Sequence, residues 1–172
     1  MTLRQTCRQQ PQAFIYGVKS RLSGISKSAA YRYGSNALSL HVKNQPYPEH
    51  GRVYGYGQTN HLIGEYDNNG ARQAEHIWLG DLPVAMLAGG GAIFPVLSDH
   101  LGTPRQIIDG NKQVRWQWDN LDPFGANAPN TNPAGVGGFG YNLRFPGQYV
   151  DGESGLFYNY HYTYGYLVCK RC

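Results

Sequence analysis

Apolar residues in this chain come in short runs of about four to six, separated by Gly, Asn, Asp and Pro. Val114-Arg115-Trp116-Gln117-Trp118 alternates apolar with polar, the period of a strand with one buried face. Val53–Tyr56, His61–Tyr66, Ala74–Leu79, Pro83–Leu87, Ala92–Leu97, Gln106–Ile108 and Gln148–Val150 read as further strands. Arg144-Phe145 and the long run Leu156–Tyr166 complete the predicted set. Turn signals lie between them, at Gly57–Asn60, Asp67–Gly70, Gly80-Asp81 and Asp109–Lys112. Asp and Asn bond their own backbone in such turns, and Gly accepts a positive φ. No window carries a helical apolar period. The pattern predicts an all-β fold of hairpins, each packed on its neighbours as in a solenoid or a wrapped sheet.

The pattern also divides the chain. Residues 1–51 form a weakly organised basic leader, with strand candidates only at Ala13–Gly17 and Ala29–Gly34; Pro46-Tyr47-Pro48 interrupts regular structure. Residues 52–97 are hairpins, 98–160 a region built around two polar motifs, and 161–172 a tail that departs from the pattern. Ala126–Gly140, rich in Ala, Asn, Pro and Gly, is predicted to be irregular.

Composition sharpens this picture. The 172 residues include 23 Gly, 10 Pro and 14 Tyr, and only 15% are charged, which favours many short strands joined by tight turns. Residues 1–52 hold eight Lys/Arg against Glu49 alone, and the rest hold seven against ten acidic residues. Such a basic leader reads as a solvated segment rather than a nucleic-acid surface. Leu82–Leu97 has sixteen uncharged residues, short of the roughly 20 that span a bilayer and broken by Pro83, Gly89-Gly90-Gly91 and Pro95; two buried strands explain it. The basic N-terminus lacks the apolar core of a secretory leader, so the chain is expected in the cytoplasm before any export. Cys7, Cys169 and Cys172 are odd in number and sit at the ends, which argues against a disulfide framework.

Four features invite a chemical reading. Asp99-His100 has the residue types of an acid/base pair, but the surrounding Gly102 and Pro104 make it a turn in which Asp99 caps backbone N–H groups and His100 packs. Arg105 is placed to anchor a carboxylate or carbonyls between strands. Gly135-Val136-Gly137-Gly138-Phe139-Gly140 matches G-x-G-x-x-G, without the strand before and the helix after that a dinucleotide site requires. Cys169-x-x-Cys172 has metal-ligand spacing, with His161 nearby but no second pair. Tyr158, Tyr160, Tyr162, Tyr164 and Tyr166 would line one face of a strand, either as a cross-strand ladder or as a platform for sugars or bases.

Tyr66-Asp67-x-x-Gly70 and Tyr149-x-Asp151-x-x-x-Gly155 resemble YD repeats. Asp99, His100, Leu101, Gly102, Thr103, Pro104 and Arg105 form the first of two longer motifs, followed by Trp116 and Asp122-Pro123-Phe124-Gly125. The second is Asn142-Leu143-Arg144 with Phe145, Pro146, Gly147, Gln148, Tyr149, Asp151, Glu153, Gly155, Leu156, Tyr158 and Asn159. Together they are similar to the core-associated region of the Rhs family of polymorphic toxins, over roughly residues 52–160.

The resemblance implies YD-repeat hairpins in a β-sheet that spirals into a hollow shell around a C-terminal toxin domain. It implies delivery to neighbouring cells, often by a type VI secretion apparatus. The implied partners are the rest of the shell, its toxin domain and secretion-apparatus proteins, with no cofactor, metal, nucleic acid or membrane span. Family members continue past the tyrosine-rich end with a GRY-like stretch and a DP-x-GL motif, whose aspartates serve self-cleavage. Here the chain reads His161–Cys172, with no Asp after Glu153 and no second Asp-Pro pair. The motif residues are therefore expected to be structural and the chain non-catalytic, a truncated or frame-shifted part of a longer toxin. Two alternatives stand beside this reading: a β module that binds cell-surface carbohydrate, and a small stand-alone effector toxin.

Overall fold

A computed structural model describes residues 51–119, 121–122, 125, 127–152 and 155–159 in full. It describes 13–16, 22–26, 30–35, 41–46 and 162–164 by backbone course alone. Glu153, the Pro123-Phe124 pair, Tyr160, His161, Tyr166 and the three cysteines lie outside the described residues.

The fold is all-β, and the described residues contain no helix. The strands before residue 51 are β1 (Ala13–Tyr16), β2 (Leu22–Ser26), β3 (Ala30–Ser35) and β4 (His41–Pro46). Next come β5 (Arg52–Tyr56), β6 (Leu62–Asp67), β7 (Arg72–Leu79) and β8 (Leu82–Ala88). They are followed by β9 (Ile93–Ser98), β10 (Pro104–Ile108) and β11 (Val114–Gln117). These eleven strands pair antiparallel in strict chain order, as one long meander. The first 51 residues thus supply four strands where the sequence pattern marks two, and Pro46 closes β4 rather than preventing it. A second sheet holds β12 (Gln148–Asp151), β13 (Leu156–Asn159) and β14 (Tyr162–Tyr164).

One backbone device makes five of the six connections from β5 to β11. In the turns 57–61, 67–71, 88–92, 99–103 and 109–113 the first N–H donates to the carbonyl four residues on, at 2.9–3.0 Å. The fourth residue of each takes a left-handed φ: Asn60 63°, Gly70 82°, Gly91 88°, Gly102 81° and Lys112 63°. This is a type I turn closed by a bulge residue, whose twist suits right-twisted strands. Asp67, Asp99 and Asp109 open three of the five, and each Oδ1 accepts the N–H groups two and four residues on, at 2.8–3.0 Å. The carboxylate satisfies donors that the reversal takes out of the ladder.

Strand alternation gives β5 to β11 one covered face. Tyr54, Leu62, Ala74, Met86, Val96, Ile107 and Trp116 are buried, one from each strand β5 to β11, and they form a stripe across the sheet. Val96, Ile107 and Trp116 are direct cross-strand neighbours. Tyr141, Leu143, Tyr149 and Tyr158 close over the stripe. On the opposite face of β5 to β11, Ile63, Ile77, Leu79, Ile93 and Leu97 are exposed beside polar residues such as Glu75, Gln106 and Gln117.

Two predicted strands have a different form. Arg144-Phe145 leads into a reversal: Gln148 N donates to the Phe145 carbonyl at 2.8 Å, with Pro146 and Gly147 (φ 79°) at the central positions. Those residues suit a type II turn, which leaves only the Leu143–Tyr149 bridge as β pairing. The run Leu156–Tyr166 is not one strand, because β13 reverses into β14 with Asn159 opposite Tyr162. Tyr158 pairs with Thr163, and Tyr162 and Tyr164 pair with Asn159 and Phe157, so Tyr158 does not share one face of a strand with Tyr162 and Tyr164.

Candidate functional site

The Asn142–Tyr149 reversal folds onto the covered face of the sheet, and each of its residues has a physical task. Phe145 packs on Trp118, with ring centroids 5.3 Å apart. Gly125, at φ 77°, lets that pair close: a Cβ there would stand 2.8 Å from the Phe145 ring and 3.2 Å from Trp118. Val150 N donates to the Asn142 carbonyl at 2.8 Å, and Asn142 Nδ2 donates to the Tyr149 hydroxyl at 3.0 Å.

Asp99–Arg105 meets this reversal. Asp99 Oδ2 takes Arg105 Nε at 2.9 Å and Nη2 at 2.8 Å, a two-pronged pair. Arg105 Nη1 also donates to the Asp119 carbonyl at 3.2 Å, so this arginine does anchor both a carboxylate and a carbonyl. Burial alone would raise the Asp99 carboxyl, but the Thr103 and Leu101 N–H groups and the Arg105 charge outweigh it and hold the group below the ordinary range. The Gly102 Cα carries no Cβ where one would lie 3.7 Å from Pro146. His100 is exposed in the turn, so the packing expected of it does not occur. The Gly135–Gly140 run lies in an irregular loop, bonded through Asn132, with neither strand nor helix beside it.

Beneath the reversal is a buried polar cluster that no sequence motif marks. Glu65 on β6 is 3% exposed. Its Oε2 pairs with Arg52 and accepts the Tyr149 hydroxyl at 2.8 Å; its Oε1 lies 3.1 Å from His76 Nε2. Burial works against the charged carboxylate, yet the His76 contact, the Arg52 charge and the Tyr149 hydrogen bond hold its pKa below the usual value. Burial and the nearby Glu65 charge push the Tyr149 hydroxyl well above its ordinary value, so it remains a donor. His76 meets the edge of Tyr141 at 5.6 Å, and Tyr141 meets Trp116 at 5.4 Å. This cluster ties two segments 84 residues apart.

Between the sheet and the reversal lies a small cleft, partly open to solvent. Gly102 and Pro104 from the first motif, and Leu143 to Tyr149 from the second, line it together. Opposite them, His61 stacks flat on Trp78 at 4.3 Å. His61 Nδ1 lies 2.9 Å from Thr59 Oγ1 and Nε2 lies 3.1 Å from Asp81 Oδ1. Hydroxyl, imidazole and carboxylate in that order resemble a nucleophile relay. The Asp81 side chain is 95% exposed, however, and water screens a charge so placed. The arrangement fixes the imidazole as part of an aromatic wall. Among the described residues no group of three or more His, Cys, Asp or Glu is placed to hold a metal ion.

No family model matches the chain. Over 62 residues it is 47% identical to Toxin protein Tse5 of Pseudomonas aeruginosa, a stretch that covers 36% of this chain and 4% of that protein. The chain therefore spans a small fraction of that protein's length.

Proposed function

We propose that this chain is a wall segment of an Rhs-type toxin: a non-catalytic piece of the β shell that encloses a toxin domain. The observation that carries the reading is the eleven-stranded meander in strict chain order, built on repeated Asp-headed turns. Such a sheet grows by adding hairpins and has no intrinsic end. Two features support it. The aliphatic side chains exposed on the outer face suit a segment that packs against further structure. The similarity to a toxin protein of far greater length agrees with a part within a larger whole. Both motifs serve as corners: one fixes a turn and the other clamps the covering segment.

A stand-alone effector is the competing reading, and expression separates the two. Residues 1–172 produced in a bacterial cytoplasm are expected to leave growth rate unchanged. Growth arrest relieved by His61→Ala or His100→Ala would overturn the wall reading in favour of catalysis.

A further inference from the structure

Arg144 lines the cleft and is 7% exposed. Its Nη1 donates to the carbonyls of Tyr141 at 2.7 Å and Leu143 at 2.8 Å. The guanidinium lies 5.3 Å from the ring centre of Trp116 and 5.4 Å from that of Trp118. Carbonyls and ring faces hold a cation in place but bring no negative charge. Among the described residues no carboxylate pairs with Arg144, and Glu65 is already committed to Arg52, His76 and Tyr149. Burial pushes the guanidinium down to about 10, as expected for a buried cation lacking a counter-charge.

The walls around this cation are mostly apolar: Tyr56, Leu62, Trp78, Pro83, Pro104 and Phe145. We propose that the cleft is a binding site for a carboxylate carried on an apolar or aromatic body, with the carboxylate on Arg144. A guanidinium matches a carboxylate in shape and charge and offers it paired N–H donors. A single cation among apolar walls suits a monoanion with an apolar body better than a phosphate, which calls for more donors. The carboxylate can come from a free organic acid or from an Asp or Glu side chain of a peptide, and the same contacts serve both.

The test uses the whole chain and follows the Trp78 indole resonance during titration. The probes are 3-phenylpropionate, its neutral amide, and a capped Phe-Glu dipeptide amide. Saturable shifts are expected from at least one acid, with the neutral amide bound about tenfold more weakly or worse. Saturation by the free acid marks a small-molecule site; saturation by the peptide alone marks a chain segment as the occupant. Arg144→Gln should abolish the preference for acid over amide. If that variant does not fold, the comparison of acid with amide on the unaltered chain decides. Equal affinity for acid and amide, or no saturable shift from either acid, would overturn the proposal.

Discussion

Trp116→Ala is expected to lower the unfolding free energy by about 3–5 kcal/mol, the range for truncating a buried tryptophan. Trp116 is 0% exposed, at the β11 end of the buried stripe. It faces Ile107 across the strand pair, meets the edge of Tyr141 and lies under the Arg144 guanidinium. The truncation opens a void and also removes one of the two rings that steady a buried cation, so the cost of that cation's desolvation is less fully offset. Trp116→Phe keeps a ring under Arg144 and should cost about half as much or less. Urea unfolding followed by far-ultraviolet circular dichroism measures both. A loss of under about 1 kcal/mol for the alanine variant would mean that the Tyr141–Tyr149 segment does not seat on this face.

Glu65→Gln should cost about 3 kcal/mol at neutral pH, because it leaves Arg52 and His76 without the charge that faces them. Tyr149 then donates to a neutral amide, so the long-range tie weakens as well. The folded-state pKa of Glu65 lies below its unfolded value, with burial opposing and His76, Arg52 and Tyr149 prevailing. A carboxylate of that kind contributes its stability in full above the unfolded pKa, about 4.3. The contribution disappears as pH falls through the lower folded value. The gap between the native chain and the Gln variant should therefore be constant near neutrality and close on acidification. Unfolding free energies of both across an acid pH series test this, and a gap that widens toward acid would contradict it.

The sequence discloses the hairpins well and the packing poorly. Asp67–Gly70 and Asp109–Lys112 are legible as turns because the chemistry is local: an Asx carboxylate, then a residue suited to a left-handed φ. The alternation in Val114–Gln117 likewise reveals which side of β11 is buried, and Trp116 is indeed sealed. What covers that side is not legible. Arg144-Phe145 reads as a strand because its neighbours are apolar, but Pro146-Gly147 imposes a reversal. Leu156–Tyr166 alternates without a break, and period two cannot show where such a run turns back on itself. The Glu65–Tyr149 contact joins residues with no shared local pattern. A glutamate at an inward position of β6 is the one signal that could have found it, since a carboxylate there must meet a partner. His100 drew a chemical reading through its neighbour Asp99, while His61 and His76, which take part in the tertiary contacts, carried no local motif.

Exchange of segments between two proteins tests the wall reading most directly. In Toxin protein Tse5, the 62-residue stretch that matches this chain would be replaced by this chain's own residues, with deletion of the stretch as the control. The wall reading predicts that the exchanged protein folds and is as toxic as its parent, while the deletion variant does not fold and is not toxic. An exchanged protein that is folded but no longer toxic would contradict it, since a passive wall segment has no activity of its own to lose.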